Sequence, residues 1–75
     1  MNNLRNNDLI IAIGARIRQL REEKGWSMDQ LCLECEMEKT QLFRIETGKN
    51  NSTISTLAVI AKALGMTVSE LTNNI

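Results

Sequence analysis

The chain has 75 residues, of which 43% are hydrophobic, and its nine basic and nine acidic side chains give a formal net charge of zero. This length allows one small domain with a modest core, and the hydrophobic content excludes a disordered chain. A net charge of zero excludes the broad positive field of a strongly basic protein. Any surface that binds a polyanion must therefore concentrate basic side chains locally.

The first predicted helix follows a polar N-terminal segment. Residues 1–7 show no periodicity and are expected to form a flexible arm, whereas residues 8–75 are expected to form a single domain. Asp8 is suited to cap the helix, and Gly25 is suited to end it in the left-handed conformation. Between them, four apolar residues recur at helical spacing: Ile10, Ile13, Ile17 and Leu20.

The second predicted helix begins at a capping box, Ser27–Gln30, with Trp26 and Leu31 spaced for a hydrophobic staple. It is expected to run to about Cys35 and to bury Leu31, Cys32 and Cys35. The two cysteines form a lone C-x-x-C, but no other Cys and no His is present to complete a four-ligand zinc site. Because they lie late in the helix, we interpret both as small buried hydrophobes and expect no metal or other cofactor.

The stretch EKTQLFRIETG, residues 38–48, predicts a short third helix with two faces. Leu42 and Ile45 are three apart and are expected to point inward, and Gly48 is expected to end the helix. The outward row is polar: Lys39, Thr40, Arg44 and Thr47. Only about three residues separate this helix from the second one, and so short a connection forces the two helices to cross steeply.

A fourth helix and a short fifth helix complete the chain. Thr53 is placed to cap the fourth helix, Gly65 to close it, and Thr67–Glu70 forms another capping box. The fourth helix carries an apolar stripe: Leu57, Ile60, Ala61 and Leu64. With no proline and short links throughout, the sequence predicts an all-α, compact five-helix bundle. It contains neither a membrane-length apolar run nor a signal-peptide pattern, so we expect it in the cytoplasm.

A capped helix, a very short turn and a second helix ending in IETG resemble the helix-turn-helix family of phage repressors, Xre-type regulators and restriction–modification controller proteins. The matching residues run from IGARIRQLREEKGWS through LFRIETGKN to STISTLAVIAKALGMTVSEL, that is, from Ile13 to Leu71. The resemblance implies a lambda-repressor-like fold and a nucleoid-associated transcriptional regulator whose partner is a double-stranded DNA operator. It also implies that helix two lies across the phosphate backbone while helix three enters the major groove.

By the same resemblance, Lys39, Thr40 and Arg44 occupy base-reading positions. Arg44 offers a two-pronged fork to guanine, Thr40 offers a hydroxyl and a methyl to a base edge, and Lys39 reaches guanine or phosphate. The resemblance also implies phosphate contacts from residues on helix three and in the loop after it: Gln41, Thr47, Lys49, Asn50 and Asn51. Phosphate contacts set the register of the protein on DNA without reading sequence.

Arg21 and Glu46 match the family's paired positions, which implies a partly buried ion pair between helices one and three.

Three residues depart from the family's pattern. Glu36 occupies a turn position that usually carries glycine, so either the turn differs or left-handed strain is tolerated. Met28 replaces a glutamine that often meets the DNA backbone. Phe43 fills the core, packs on a thymine methyl or covers the helix-two side of the contact, and the core is favoured. Acidic residues on helix two and its turn oppose phosphate binding: Asp29, Glu34, Glu36 and Glu38.

One unit of this kind reads only a few base pairs, so the resemblance implies a homodimer that reads an inverted repeat. Val68, Leu71 and Ile75 form a short apolar row that we interpret as the dimer interface, the alternative being that they complete the monomer core.

A second hypothesis is that the fold binds protein, as an antitoxin or assembly factor, which the neutral charge and acidic helix two favour. Without His, a Ser-centred motif or a glycine-rich phosphate loop, the sequence indicates no enzyme, and no small-molecule ligand is evident.

Overall fold

The computed structural model describes residues 6–75, and these residues form five α-helices and no strand. In chain order the helices are α1 (Asn6–Glu23), α2 (Met28–Cys35), α3 (Lys39–Glu46), α4 (Ile54–Ala63) and α5 (Val68–Leu71). The prediction of an all-α bundle of five helices is therefore confirmed. None of the five helices is both long and apolar enough to pass through a membrane.

The start of α1 differs from the prediction. The helix begins at Asn6, so the expectation that Asp8 caps it is wrong, and Asp8 instead lies in the first turn. An acidic side chain in that turn still interacts favourably with the positive end of the helix dipole. Of the predicted arm, residues 1–5 lie outside the described part of the chain, while Asn6 and Asn7 belong to the helix.

Glycines and hydroxyl side chains mark the helix boundaries as predicted. Three glycines that follow helices have positive φ, between 74° and 81°: Gly25, Gly48 and Gly65. Three N-cap hydroxyls accept a hydrogen bond from the backbone N–H three residues later: Ser27, Thr53 and Thr67. At α5 the capping box is complete, because the Glu70 side chain accepts from the Thr67 N–H. At α2 only the serine half forms, since the Gln30 side chain donates to Glu34 instead (3.1 Å).

The core draws on all five helices. Its buried members are Ile17, Leu31, Cys32, Cys35, Leu42, Ile45, Leu57, Ile60, Ala61, Leu64 and Leu71. Every residue predicted to point inward from α2, α3 and α4 belongs to it. Of the four apolar residues predicted to recur along α1, only Ile17 is fully buried; Ile13 and Leu20 pack against the core partly buried, and Ile10 is half-buried. Leu71 has no exposed surface, so the core anchors the short α5.

Candidate nucleic-acid interface

Helix α3 presents one face to the core and the other to solvent. Leu42 and Ile45 are 0% and 2% exposed, which confirms their predicted inward orientation. The three base-reading candidates are all exposed: Lys39, Thr40 and Arg44. Of the five residues with implied phosphate contacts, Asn50 is half-buried. The other four are exposed: Gln41, Thr47, Lys49 and Asn51. All eight side chains are thus accessible to a ligand.

A buried ion pair fixes α3 to α1. Arg21 Nε donates to Glu46 Oε2 at 2.8 Å, and Arg21 Nη2 donates to Glu46 Oε1 at 2.9 Å, which makes the contact two-pronged. Arg21 Nη1 also donates to the carbonyl of Trp26 at 2.9 Å, so one guanidinium joins α1, α3 and the segment before α2. The hydrogen bonds to Glu46 raise the pKa of Arg21 above its ordinary value. Because both residues are buried, removal of either partner leaves an uncompensated charge.

Two glycines let α1 approach the end of α3 closely. A Cβ at Gly14 would overlap the carbonyl oxygen of Ile45 and lie 2.9 Å from the carbonyl oxygen of Glu46. A Cβ at Gly48 would lie 2.9 Å from the Cα of Ile11. Gly14 was missed by the sequence analysis, although an isolated glycine inside an apolar helical pattern is a known sign of close backbone packing. The glycines and the ion pair together set the orientation of α3.

The turn between α2 and α3 is tight and left-handed at Glu36. This residue has φ 53° and ψ 49°, and its backbone N–H donates towards the carbonyls of Cys32 and Leu33. The backbone N–H of Met37 donates to the carbonyl of Cys32 at 3.0 Å. Of the two alternatives for Glu36, the structure therefore shows tolerated strain in a glycine-type turn. Such a conformation costs a non-glycine residue roughly 1–2 kcal/mol.

The loop after α3 is held to the helix by backbone and hydroxyl groups. The amide of Lys49 donates to the carbonyl of Arg44 at 2.8 Å, which closes the helix end. The Thr47 hydroxyl donates to the carbonyl of Phe43 at 2.7 Å. The proton of this hydroxyl is thus used within the helix, and a phosphate would have to compete for it. Within residues 6–75, the side chains of Lys49 and Asn51 form no hydrogen bond, so both are available to a phosphate.

Charge on this face is partly neutralised. Lys39 Nζ lies 3.2 Å from Asp29 Oδ1, and the two side chains are 63% and 74% exposed. An exposed pair of this kind contributes about 0–1 kcal/mol, so Lys39 is readily released to another anion. Within residues 6–75, no salt bridge includes Arg44, whose guanidinium therefore stays available. Three further carboxylates on α2 and its turn are exposed: Glu34, Glu36 and Glu38.

Phe43 corrects one expectation. The residue is 49% exposed, so the favoured interpretation that it fills the core is wrong. The inward positions of α3 are already occupied by Leu42, Ile45 and Glu46, and Phe43 lies on the flank of the helix. It lines an open surface groove together with Met28.

The predicted dimer residues differ in accessibility. Leu71 cannot contact a partner because the monomer core buries it completely, so its assignment to the interface is corrected. Val68 is partly buried against the core, whereas Ile75 is 46% exposed. The sequence analysis also missed two large exposed apolar side chains on α4, Ile54 and Val59, because their exposure depends on how α4 is rotated in the bundle.

The cysteines behave as buried apolar residues, as interpreted from the sequence. Both are free, and both are buried. Burial raises the pKa of the Cys32 thiol and raises the pKa of the Cys35 thiol to about 11. Since the thiolate is the nucleophilic form, this environment disfavours thiol reactivity at neutral pH.

Comparisons with known proteins agree with this geometry. The sequence profile of the HTH_3 helix-turn-helix family matches residues 17–71. Control protein C.MunI from Mycoplasma sp. is 34% identical over 70 residues, which cover 92% of this chain and 95% of that protein. The crystal structure of the restriction–modification controller protein C.AhdI from Aeromonas hydrophila aligns with a TM-score of 0.78 and 30% identity, over 85% of this chain and 96% of that one.

A structural relative has been solved with nucleic acid. SinR, a master regulator for biofilm formation, in complex with DNA, aligns with a TM-score of 0.73 and 35% identity, over 79% of this chain and 95% of that one. These relatives are regulators and not enzymes. The chain therefore belongs to the helix-turn-helix family and is a DNA-binding transcriptional regulator.

Proposed function

We propose that this protein is a repressor or controller-like regulator that reads an inverted repeat in double-stranded DNA as a homodimer, with α3 in the major groove. The observation that carries the proposal is the outward face of α3. Its three candidate readers are exposed, while the opposite face is fixed in the core and by the Arg21–Glu46 pair. A probe for base edges needs both properties, because poorly oriented side chains cannot distinguish one base from another.

Each reader has a separate task in this proposal. Arg44, which forms no salt bridge within residues 6–75, donates two hydrogen bonds to O6 and N7 of a guanine. Thr40 contacts a neighbouring base edge with its hydroxyl or methyl group. Lys39 exchanges Asp29 for a guanine or a phosphate, an exchange that costs little because their ion pair is exposed.

The phosphate contacts frame these readers. Gln41 lies in the first turn of α3, and Lys49, Asn50 and Asn51 lie in the loop after it, so backbone contacts would form at both ends of the helix. Thr47 would contribute less, because its hydroxyl already donates to the carbonyl of Phe43. The nine basic residues are balanced by nine acidic ones, and the exposed carboxylates on α2 oppose contact with phosphates. We therefore expect weak non-specific binding and affinity that depends on dimerisation.

We place the dimer contact at the C-terminal end, around Val68 and Ile75. Both keep accessible apolar surface there, and Ile75 is nearly half exposed. A twofold dimer of this kind presents two α3 helices to half-sites about 34–36 Å apart, one turn of the duplex. Leu71 supports the contact indirectly by holding α5 in place.

Selection from random duplexes followed by gel-shift titration tests the proposal. We expect wild-type protein to select an inverted repeat, and Arg44→Ala to lose about 1–3 kcal/mol of binding free energy for each half-site of that repeat but not on random DNA. Arg44→Lys separates charge from geometry, since it keeps the charge and loses the fork. Lys62→Ala, which removes an exposed cation from α4, is the control for charge alone. No DNA selection at low salt, with recovery of a protein partner instead, would favour the protein-binding alternative.

A further inference from the structure

A groove lies in the crease between the start of α2 and the outward side of α3. It is open to solvent, has a volume of about 270 Å³, and is lined by Met28, Lys39, Thr40 and Phe43. Its surface is mainly apolar, although two of its four lining residues are polar. Phe43, the sole phenylalanine of the chain, is 49% exposed, which is a high fraction for a large apolar residue.

The position of the groove indicates what fills it. Lys39 and Thr40, two of the proposed base readers, also line the groove, so it is continuous with the face that would enter DNA. Lys39, one of the lining residues, pairs with Asp29 at 3.2 Å. A protein segment in this groove would block the readers. A base edge would enter the groove and engage the readers at the same time.

We propose that Phe43 and Met28 form a specificity-determining contact with the 5-methyl group of a thymine in each operator half-site, an inference that rests on the proposed function. Thymine alone among the four standard bases presents a methyl group in the major groove, where the base edges otherwise offer mainly hydrogen-bond donors and acceptors. The aromatic ring of Phe43 and the thioether of Met28 offer that methyl apolar contact and no hydrogen bond. The adjacent Thr40 hydroxyl is placed to address a polar atom of the same or the next base pair.

The chemistry predicts a small and specific effect. Burial of one methyl-sized group changes affinity by about fourfold. This is less than a two-pronged arginine contact supplies, so the thymine contact refines a site that Arg44 defines. 5-Methylcytosine carries the same methyl group at the same ring position, so the two bases offer Phe43 the same apolar contact.

Single replacement of each thymine by deoxyuridine in the selected operator tests the contact, because deoxyuridine lacks only the methyl group. We expect one position per half-site at which the replacement weakens binding of wild-type protein about fourfold. In Phe43→Ala, the ratio between thymine and deoxyuridine at that position should fall to about one, while discrimination at the other positions remains. Met28→Ala should reduce the same ratio. Leu33→Ala, which removes an equally apolar side chain that is 72% exposed on α2, should leave it unchanged.

The outcomes separate the contact from the wider proposal. Failure to select any DNA sequence would overturn the proposed function itself. Sequence-specific binding with equal affinity for thymine and deoxyuridine at every position would overturn only the methyl contact, as would a ratio that persists in Phe43→Ala. A C·G pair and a 5-methyl-C·G pair are compared at the same position: if methylation of cytosine strengthens binding while removal of the thymine methyl has no effect, the thymine assignment is wrong.

Discussion

Gly14 offers the sharpest test of how α3 is positioned. In an exposed helix interior, Gly→Ala stabilises a protein by about 1 kcal/mol through helix propensity. Here the added methyl would overlap the carbonyl of Ile45, which is backbone and cannot move aside like a flexible side chain. Overpacking usually costs about 1–3 kcal/mol, and a clash with backbone lies at the upper end of that range. We therefore expect Gly14→Ala to lower the free energy of unfolding by about 2 kcal/mol.

For a domain of this size such a loss lowers the melting temperature by about 8–16 °C. Urea and thermal denaturation measure it, and gel shift on the selected operator reports whether α3 has moved. Ala15→Gly, an exposed substitution on the same helix, calibrates the propensity contribution alone. If Gly14→Ala instead stabilised the protein by about 1 kcal/mol and kept full operator affinity, the close contact between α1 and α3 would be refuted.

Four further predictions concern other parts of the molecule. Glu36→Gly should raise the free energy of unfolding by about 1 kcal/mol in urea titrations because it relieves left-handed strain; unchanged or lower stability would contradict this. Glu46→Ala should cost roughly 3–5 kcal/mol and weaken operator binding, and an unchanged melting temperature and affinity would refute the role of the ion pair. Leu71→Ala should destabilise the fold by about 2–5 kcal/mol, whereas Ile75→Ala should shift only the monomer–dimer equilibrium in ultracentrifugation; the reverse pattern would contradict their assignments. The pKa of Cys35 is raised from 9.0 to about 11, so its contribution to stability is complete below pH 9 and declines as pH rises towards 11. In urea titrations between pH 9 and 11, Cys35→Ala should lose its free energy of unfolding less steeply with pH than wild type. An identical dependence on pH in the variant would contradict the role of Cys35.

Local sequence signals predicted the helix boundaries well. The glycines after α1, α3 and α4 and the hydroxyl caps of α2, α4 and α5 act within a few residues, so their effect is visible in the chain itself. The start of α1 was the exception, since Asp8 is equally favourable at a cap and in a first turn.

Contacts between distant segments were harder to predict. The Arg21–Glu46 pair was implied only by resemblance, because no local pattern joins residues 25 apart in the chain. The closeness of Gly14 to the end of α3, the exposure of Phe43 and the burial of Leu71 all depend on how helices dock. A helical pattern gives the direction of a side chain relative to its own helix, but not which neighbouring helix covers it.

The central claim is that the outward face of α3 reads base edges. A base-by-base affinity profile of the selected operator, measured for wild-type protein and for Arg44→Ala, tests it most directly. We expect the wild-type preference for one G·C pair in each half-site to disappear in the variant while preferences at the other positions persist. An equal loss of affinity for all sequences, or a profile unchanged by the substitution, would contradict the claim.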